Sequence, residues 1–337
     1  RGLWHWPRQQ YCFWVWGASK MTEVRLSVVT VSWNTGPHLM ECVRSVLAAP
    51  GVDELVLVSH ENDADTVAEL QNLARKSEKF LLVETGQNLG FSKGCNIGAE
   101  QANGELVLFL NPDAVLVSGV ASQLKQSASQ MTSRPWVVGG RVINEDGTEQ
   151  RGGRRGALTP GSAFVSFLGL HHLFAGVDSI HRETNRPCES LCEVPTVSGA
   201  ALMMRRDDFF EVGQFDERYF LHVEDIDLCR MVRDRGGEVW HDPHAGIRHY
   251  GGTSQASPLF VEGHKAAGFV KYFLKFSPGP IERLTTYAMA PAFFAALWGR
   301  VLMISAKAWM ASVFRKREKA ETGDTIPHAA ETSDPAE

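Results

Sequence analysis

Long apolar runs, paired cysteines and blocks of positive charge are all scarce in this chain of 337 residues. Its most apolar stretch, Tyr287 to Phe314, is broken by Arg300 and Lys307. The uncharged part, 287–299, falls short of the ~20 residues a helix needs to span a bilayer. The six cysteines (12, 42, 95, 188, 192, 229) are scattered, and Cys188 and Cys192 form the only close pair. No second Cys or His pair completes a zinc pattern, so a reduced, cytoplasmic protein is expected. A net charge of −5 and the lack of a long central basic run leave no footprint for nucleic acid. The G-x-G-x-x-G fingerprint is missing, so dinucleotide binding is not implied. The first twenty residues hold four Trp but neither the apolar core nor the cleavage site of a signal peptide. They read as a non-native or upstream-translated extension, the alternative being an aromatic patch at a membrane surface.

What is present is ordinary for a globular protein: 44 % hydrophobic and 22 % charged residues. The length suits one large domain or two modest ones, at roughly 100–200 residues each. Leu26 to Val31, Leu55 to Val58, Phe80 to Val83 and Leu106 to Leu110 read as buried strands. Helical spacing of apolar residues separates them, which predicts an α/β fold with a doubly wound, mostly parallel sheet. Regular pattern fades between 134 and 197, where Gly, Arg and Pro suggest long loops. Gly199 to Met204 and Glu238 to His241 read as further strands, with a helix carrying Leu228, Met231 and Val232 between them. The expected organisation is an extension (1–20), a catalytic unit (21–280) divided near 133/134, amphipathic helices (281–317) and a disordered tail (318–337). The basic cluster at 315–319 follows the amphipathic stretch, as in a helix lying on an anionic membrane surface. Packing on the protein itself or in a homo-oligomer is the alternative.

Four stretches could carry chemistry. Asn111-Pro112-Asp113 ends the strand at 106–110, because proline has no amide hydrogen to donate. A carboxylate is thereby set beyond the carboxyl end of a central strand, where open α/β sheets bind ligands; the same residues are also good turn formers. Asn88 to Gly98 places three glycines and two asparagines at a strand-to-helix junction, allowing close backbone approach to a ligand. Glu224, Asp225 and Asp227 open a helix just after a group of aromatic residues. They suit the helix dipole, and a carboxylate against apolar groups can also act as a general base. His249 precedes the glycine turn at 251–252, where it could bind a metal or diphosphate or simply serve as a loop histidine.

Taken in order, VVTVSWN, NLGFSKGCNIG, FLNPDA and FDERYFLHVEDIDLC followed by RHYGGTS resemble family-2 glycosyltransferases of the GT-A fold, most closely the bacterial rhamnosyltransferase branch. The resemblance runs from about Leu26 to Ser254. It implies a Rossmann-like nucleotide half and an acceptor half. Val31, Trp33, Asn34, Ser59, Asn88, Gly90, Phe91, Lys93, Asn96, Asn111 and Asp113 would then face a nucleotide-sugar donor. Asp113, helped by His249, would hold Mg²⁺ or Mn²⁺ on the donor diphosphate. Asp225 would be the base, with Glu224 beside it, and Gly199, Ala200, Asp227 and the loop from Arg151 to Arg155, Arg154 included, would border sugar and acceptor. The favoured donor is dTDP-L-rhamnose; a UDP- or GDP-sugar is the alternative. The acceptor would be an envelope glycan, possibly polyprenyl-diphosphate-linked, met by peripheral contact at the inner face of the cytoplasmic membrane. Ser59 and His60 stand where the branch usually has Asp-Asn, which leaves open the donor's identity and, less so, a non-catalytic binding module.

Overall fold

The computed structural model describes residues 24–160, 162–163, 188–253 and 256–322. The extension at 1–20 and the end of the tail lie outside the described residues. Four strands, β1 (Leu26–Ser32), β2 (Glu54–Ser59), β3 (Phe80–Glu84) and β4 (Leu106–Leu110), pair in parallel in the order β3-β2-β1-β4. β1 and β4 are buried along their whole length, as their unbroken apolar runs require between two helical layers. Helices α1 (His38–Ala48), α2 (Ala64–Lys76) and α3 (Phe91–Gln101) make the crossovers. The chain moves outward from β1 to β3, then returns to add β4 on β1's other side. That reversal opens a crevice at the carboxyl ends of β1 and β4.

The sheet continues through β5 (Ala114–Leu116), α4 (Val120–Ala128), β6 (Trp136–Ile143), β10 (Ala201–Arg205) and β11 (Glu238–His249). β10 runs antiparallel between β4 and β6, while β11 lies parallel to β6 and antiparallel to β5. The short strand β8 (Cys192–Glu193) adds to β11, and β7 (Arg154–Arg155) pairs with β9 (Thr196–Val197) in a separate ladder.

Three features depart from the sequence reading. The stretch expected as loop contains β6, an eight-residue central strand. Its Gly139 and Gly140 look like loop residues but are there for packing. A Cβ on Gly139 would come within 2.4 Å of Val197, and one on Gly140 within 2.4 Å of Ile247. β11 extends to His249 rather than stopping at His241, because a bulge between Asp242 and Gly246 lets pairing with β6 resume. Finally, Cys188 and Cys192 form a disulfide, contrary to the expectation of a wholly reduced chain. Pairing of β8 with β11 turns the segment so that the two Cα atoms lie 6.3 Å apart, within disulfide range.

After α5 (Arg206–Glu211) and α6 (Glu224–Asp234), the chain closes with α7 (Pro258–Lys275) and α8 (Pro280–Thr322). Phe269 and Phe273 of α7 join Tyr219, Val223, Phe293 and Leu297 in a second core beside the sheet. No helix among the described residues is long and apolar enough to cross a membrane.

Gly98 of α3 lies so close to β1 that an added Cβ would sit 2.4 Å from a Val29 methyl carbon. Gly98→Val should lower unfolding free energy by about 1–3 kcal/mol, read by chemical denaturation. An unchanged midpoint would mean that α3 can lift off the sheet without cost.

Candidate active site

Val31, Trp33, Asn88, Phe91 and Asp113 line a cavity of ≈ 150 Å³ at the crevice, with Asn111 and His60 beside them. Phe220, Leu221, Thr253 and Phe260 close it from the opposite side. Gly90, also in the wall, has φ +86°, and a Cβ there would come within 2.8 Å of Phe220. Both the backbone angle and the contact demand glycine. The Phe91 N–H donates to the Phe220 carbonyl at 2.8 Å, fastening the 88–91 loop to the second half.

Asp113 sits just past β4 and is nearly buried. Its carboxylate is 3.1 Å from His249 Nε2 and accepts from the Thr253 hydroxyl at 3.0 Å. Burial pushes its pKa up, but the His249 and Thr253 contacts outweigh burial and hold it below the usual carboxylate value. The His249 tautomer follows from its neighbours. Gln150 directs its amide nitrogen at Asn144 and at the His249 carbonyl, so its Oε1 accepts from His249 Nδ1 at 2.6 Å. Asn111 donates to Nε2 at 3.0 Å. When His249 is charged its Nε2 donates to Asp113; when it is neutral with the proton on Nδ1, the Nε2 lone pair faces the carboxylate, an arrangement that a cation between them would relieve. Adjacent ligands of an octahedral cation at about 2.1 Å lie about 3 Å apart, so Asp113 and His249 fit Mg²⁺ or Mn²⁺. The described residues hold no cluster of three His, Cys, Asp or Glu ligands, so a cation held by this pair would need further oxygen ligands from outside the protein.

The other carboxylates open α6. Asp225 accepts from Arg155 Nη1 and from the Gly199 N–H, both at 3.0 Å, while its second oxygen takes the Ile226 N–H at 2.8 Å. Glu224 is buried, and one of its carboxyl oxygens has no partner. Burial and then the Asp225 charge raise its pKa to about 8, well above the usual carboxylate range. His222 and Val223, just before the pair, adopt φ +67° and +78°. For a β-branched valine this is a strained backbone, held where α7 presses Gly268 against it.

Several residues picked from the sequence sit outside the cavity wall. Asn34 donates its N–H to Asn62, whose amide donates to Ser32 and Ser59, so Asn34 and Ser59 belong to one clamp across the ends of β1 and β2. Asn96 exchanges hydrogen bonds with the Phe215 backbone, and Lys93 pairs with Glu217 on the surface. Arg154 donates to Glu149, whereas its neighbour Arg155 reaches Asp225. Successive residues of a strand face opposite ways, so only one of the pair can do so. Asp227 points away from Asp225 and accepts from Tyr219 and Lys275. The Ala200 carbonyl accepts from the Asn111 N–H at 3.1 Å. The sequence reading missed Gln150 and Phe260. Arg155 lay in the 151–155 loop expected to border sugar and acceptor, while Phe220 and Thr253 stood inside the quoted motifs without a role of their own.

A family model described as Glycosyl transferase family 2 matches residues 27–213, more than half of the chain. The chain belongs to glycosyl transferase family 2. It is 28 % identical over 243 residues to the N-acetylglucosaminyl-diphospho-decaprenol L-rhamnosyltransferase of Mycobacterium tuberculosis, covering 68 % of this chain and 77 % of that one. The rhamnosyltransferase WbbL of Escherichia coli is 26 % identical over 152 residues, covering 44 % and 53 %. Among solved structures, GalNAc-T7 with UDP, GalNAc and Mn²⁺ aligns with a TM-score of 0.58 at 18 % identity, over 80 % of this chain and 51 % of that chain. A Pyrobaculum calidifontis mannosyltransferase with GDP-Man and Mn²⁺ gives 0.51 at 13 % identity, over 93 % and 87 %. The enzyme is a glycosyltransferase with the GT-A fold, as the sequence motifs implied.

In this glycosyltransferase the Glu224 carboxyl has a higher pKa folded than unfolded, so the folded state binds more protons and stability falls as pH rises between the two values. Glu224→Gln should therefore stabilise the enzyme at pH 7 by on the order of 1–3 kcal/mol, with the gap closing below pH about 4. Thermal unfolding of both forms across pH checks this. A destabilised variant at neutral pH would show that Glu224 is ionised in the fold.

Proposed function

We propose that this glycosyltransferase is an inverting, metal-dependent enzyme that moves L-rhamnose from dTDP-L-rhamnose to a hydroxyl of a lipid-linked envelope glycan. One observation carries the mechanism: the Asp113–His249 pair and Asp225 are linked along one edge of the sheet. Asn111 donates to Ala200, and the adjacent Gly199 donates to Asp225. Asp113 and His249 would hold the divalent cation, which neutralises charge on the departing nucleoside diphosphate. Trp33, Asn88, Gly90 and Phe91 supply the wall against which the nucleotide lies. Arg155 and the Gly199 N–H hold the Asp225 carboxylate as an acceptor. Asp225 takes the proton from the acceptor hydroxyl while that oxygen attacks the anomeric carbon opposite the leaving diphosphate. A single displacement inverts the configuration.

Rhamnose as the sugar rests on the rhamnosyltransferase relatives, and the lipid-linked acceptor on the decaprenol-linked substrate that one of them names. Membrane contact rests on α8, where Ile281, Leu284, Tyr287 and Trp309 are each at least 60 % exposed. A UDP- or GDP-sugar donor is a second reading. It is favoured by Ser59 and His60, which stand where an Asp-Asn pair would otherwise be expected, His60 lining the cavity.

Incubation with Mn²⁺ and a panel of nucleotide sugars, followed by thermal shift and donor hydrolysis, should single out dTDP-rhamnose. A response to another sugar alone would redirect the donor, and silence across the panel would sink the catalytic reading. Asp225→Asn should lower kcat by about 10²–10⁴ while donor affinity holds. Asp113→Ala should abolish the metal dependence of donor binding, seen by calorimetry with and without Mn²⁺.

A further inference from the structure

A second cavity, ≈ 290 Å³ and larger than the donor cavity, lies where α6, α7 and α8 meet. Leu158, Phe273, Phe276, Met289 and Phe293 give it apolar walls. At its α6 side stand Arg230, whose Nε donates to Asp234, and beside it the buried hydroxyl of Tyr272. Arg230 follows Asp225 by five residues, about 7.5 Å of helix rise. The 158–160 wall follows Arg155, which holds Asp225, by only a few residues. Five residues also turn the helix by about 140°, so Arg230 leaves α6 on a different face from Asp225, and the cavity adjoins that carboxylate only through the segments that carry and hold it.

At its other end it opens toward α8. Ile281 lines the cavity and is also 76 % exposed. It begins an exposed stripe that continues through Leu284, Tyr287, Trp298 and Leu302. At 3.6 residues per turn these exposed apolar residues fall within a sector of about 120°, away from the one that buries Thr286, Phe293, Leu297 and Val301. Helix α8 is thus apolar on two sides, and only one is covered by the described residues. The cavity volume lies just below the roughly 300–1,000 Å³ of sites that enclose a whole small molecule, which suits a short length of chain passing through.

We infer that this cavity holds the first isoprenoid units of the acceptor's lipid carrier. The chain runs from the α6 side, where Arg230 and the Tyr272 hydroxyl meet the carrier's phosphate end, out past Ile281 to the membrane surface. This rests on the reading of a lipid-linked acceptor and adds to it the place where the lipid is held.

The test uses the full chain, without membranes, and a short prenyl phosphate carrying no sugar. The wild type should bind this probe, and the probe should compete with a lipid-linked acceptor. Met289→Trp, which fills the cavity, and Ile281→Glu, which puts charge at its exposed mouth, should each weaken probe binding at least tenfold. They should raise KM for the lipid-linked acceptor by a similar factor while leaving kcat, and KM for a lipid-free acceptor glycan, unchanged. Ile281→Glu alters a surface residue and so keeps the test open if the filled variant does not fold. Probe binding that is absent, or unchanged in Ile281→Glu, overturns the inference, as does an equal KM rise for both acceptors. If both variants keep probe binding and instead change oligomeric state, the stripe is a contact between copies and the inference fails. Transfer that fails with every acceptor while the probe still binds in the cavity would instead remove the reading of the acceptor. The two failures are thus separable.

Discussion

The antiparallel entry of β10 between β4 and β6 is the constraint on which the site depends. It places Gly199 and Ala200 at the point where the parallel strands β1–β4 meet the rest of the sheet. One backbone group there bonds the loop that carries Asp113, and the next bonds Asp225. Without that crossing the two carboxylates would belong to separate units joined only by flexible chain. With it, the carboxylate proposed to hold a metal and the one proposed to take a proton share a rigid sheet edge, and transfer between two bound substrates requires such fixed orientation.

The nucleotide half was legible because its physics is local. Buried parallel strands need unbroken apolar runs, and β1, β2 and β4 have them. A proline after Asn111 ends β4 wherever the strand sits in the sheet. Asp113 and His249 were each marked by residue type and position, and the fold brings them to 3.1 Å. The acceptor half was harder to read because its signals are long-range. β6 carries two glycines because Val197 and Ile247, far away in sequence, press on it. Nothing near Gln150 announces that it sets a tautomer ninety-nine residues away. Arg154 and Arg155 are chemically identical, and only the alternation of a two-residue strand separates the one that meets Asp225 from the one that meets Glu149.

Helix α7 contributes at a distance. Lys275 anchors Asp227 at 2.7 Å and Asp216 at 3.1 Å, so α6 is tied to α7 by a buried charge as well as by aromatic packing. That anchorage supports the left-handed pair His222–Val223, whose backbone cost, of order 1–3 kcal/mol for each strained residue, must be met by its surroundings. The catalytic turn is stable because the layer behind it is.

Gly90 leaves room for Phe220, Gly199 lies against the Asp225 side chain, and Gly268 lies against Val223. At all three, an added methyl group would enter the space of a residue at the site. The accuracy of this active site is therefore set in part by atoms that are not there. A change at Gly268, out of reach of either substrate, would act on the reaction as directly as one in the cavity wall.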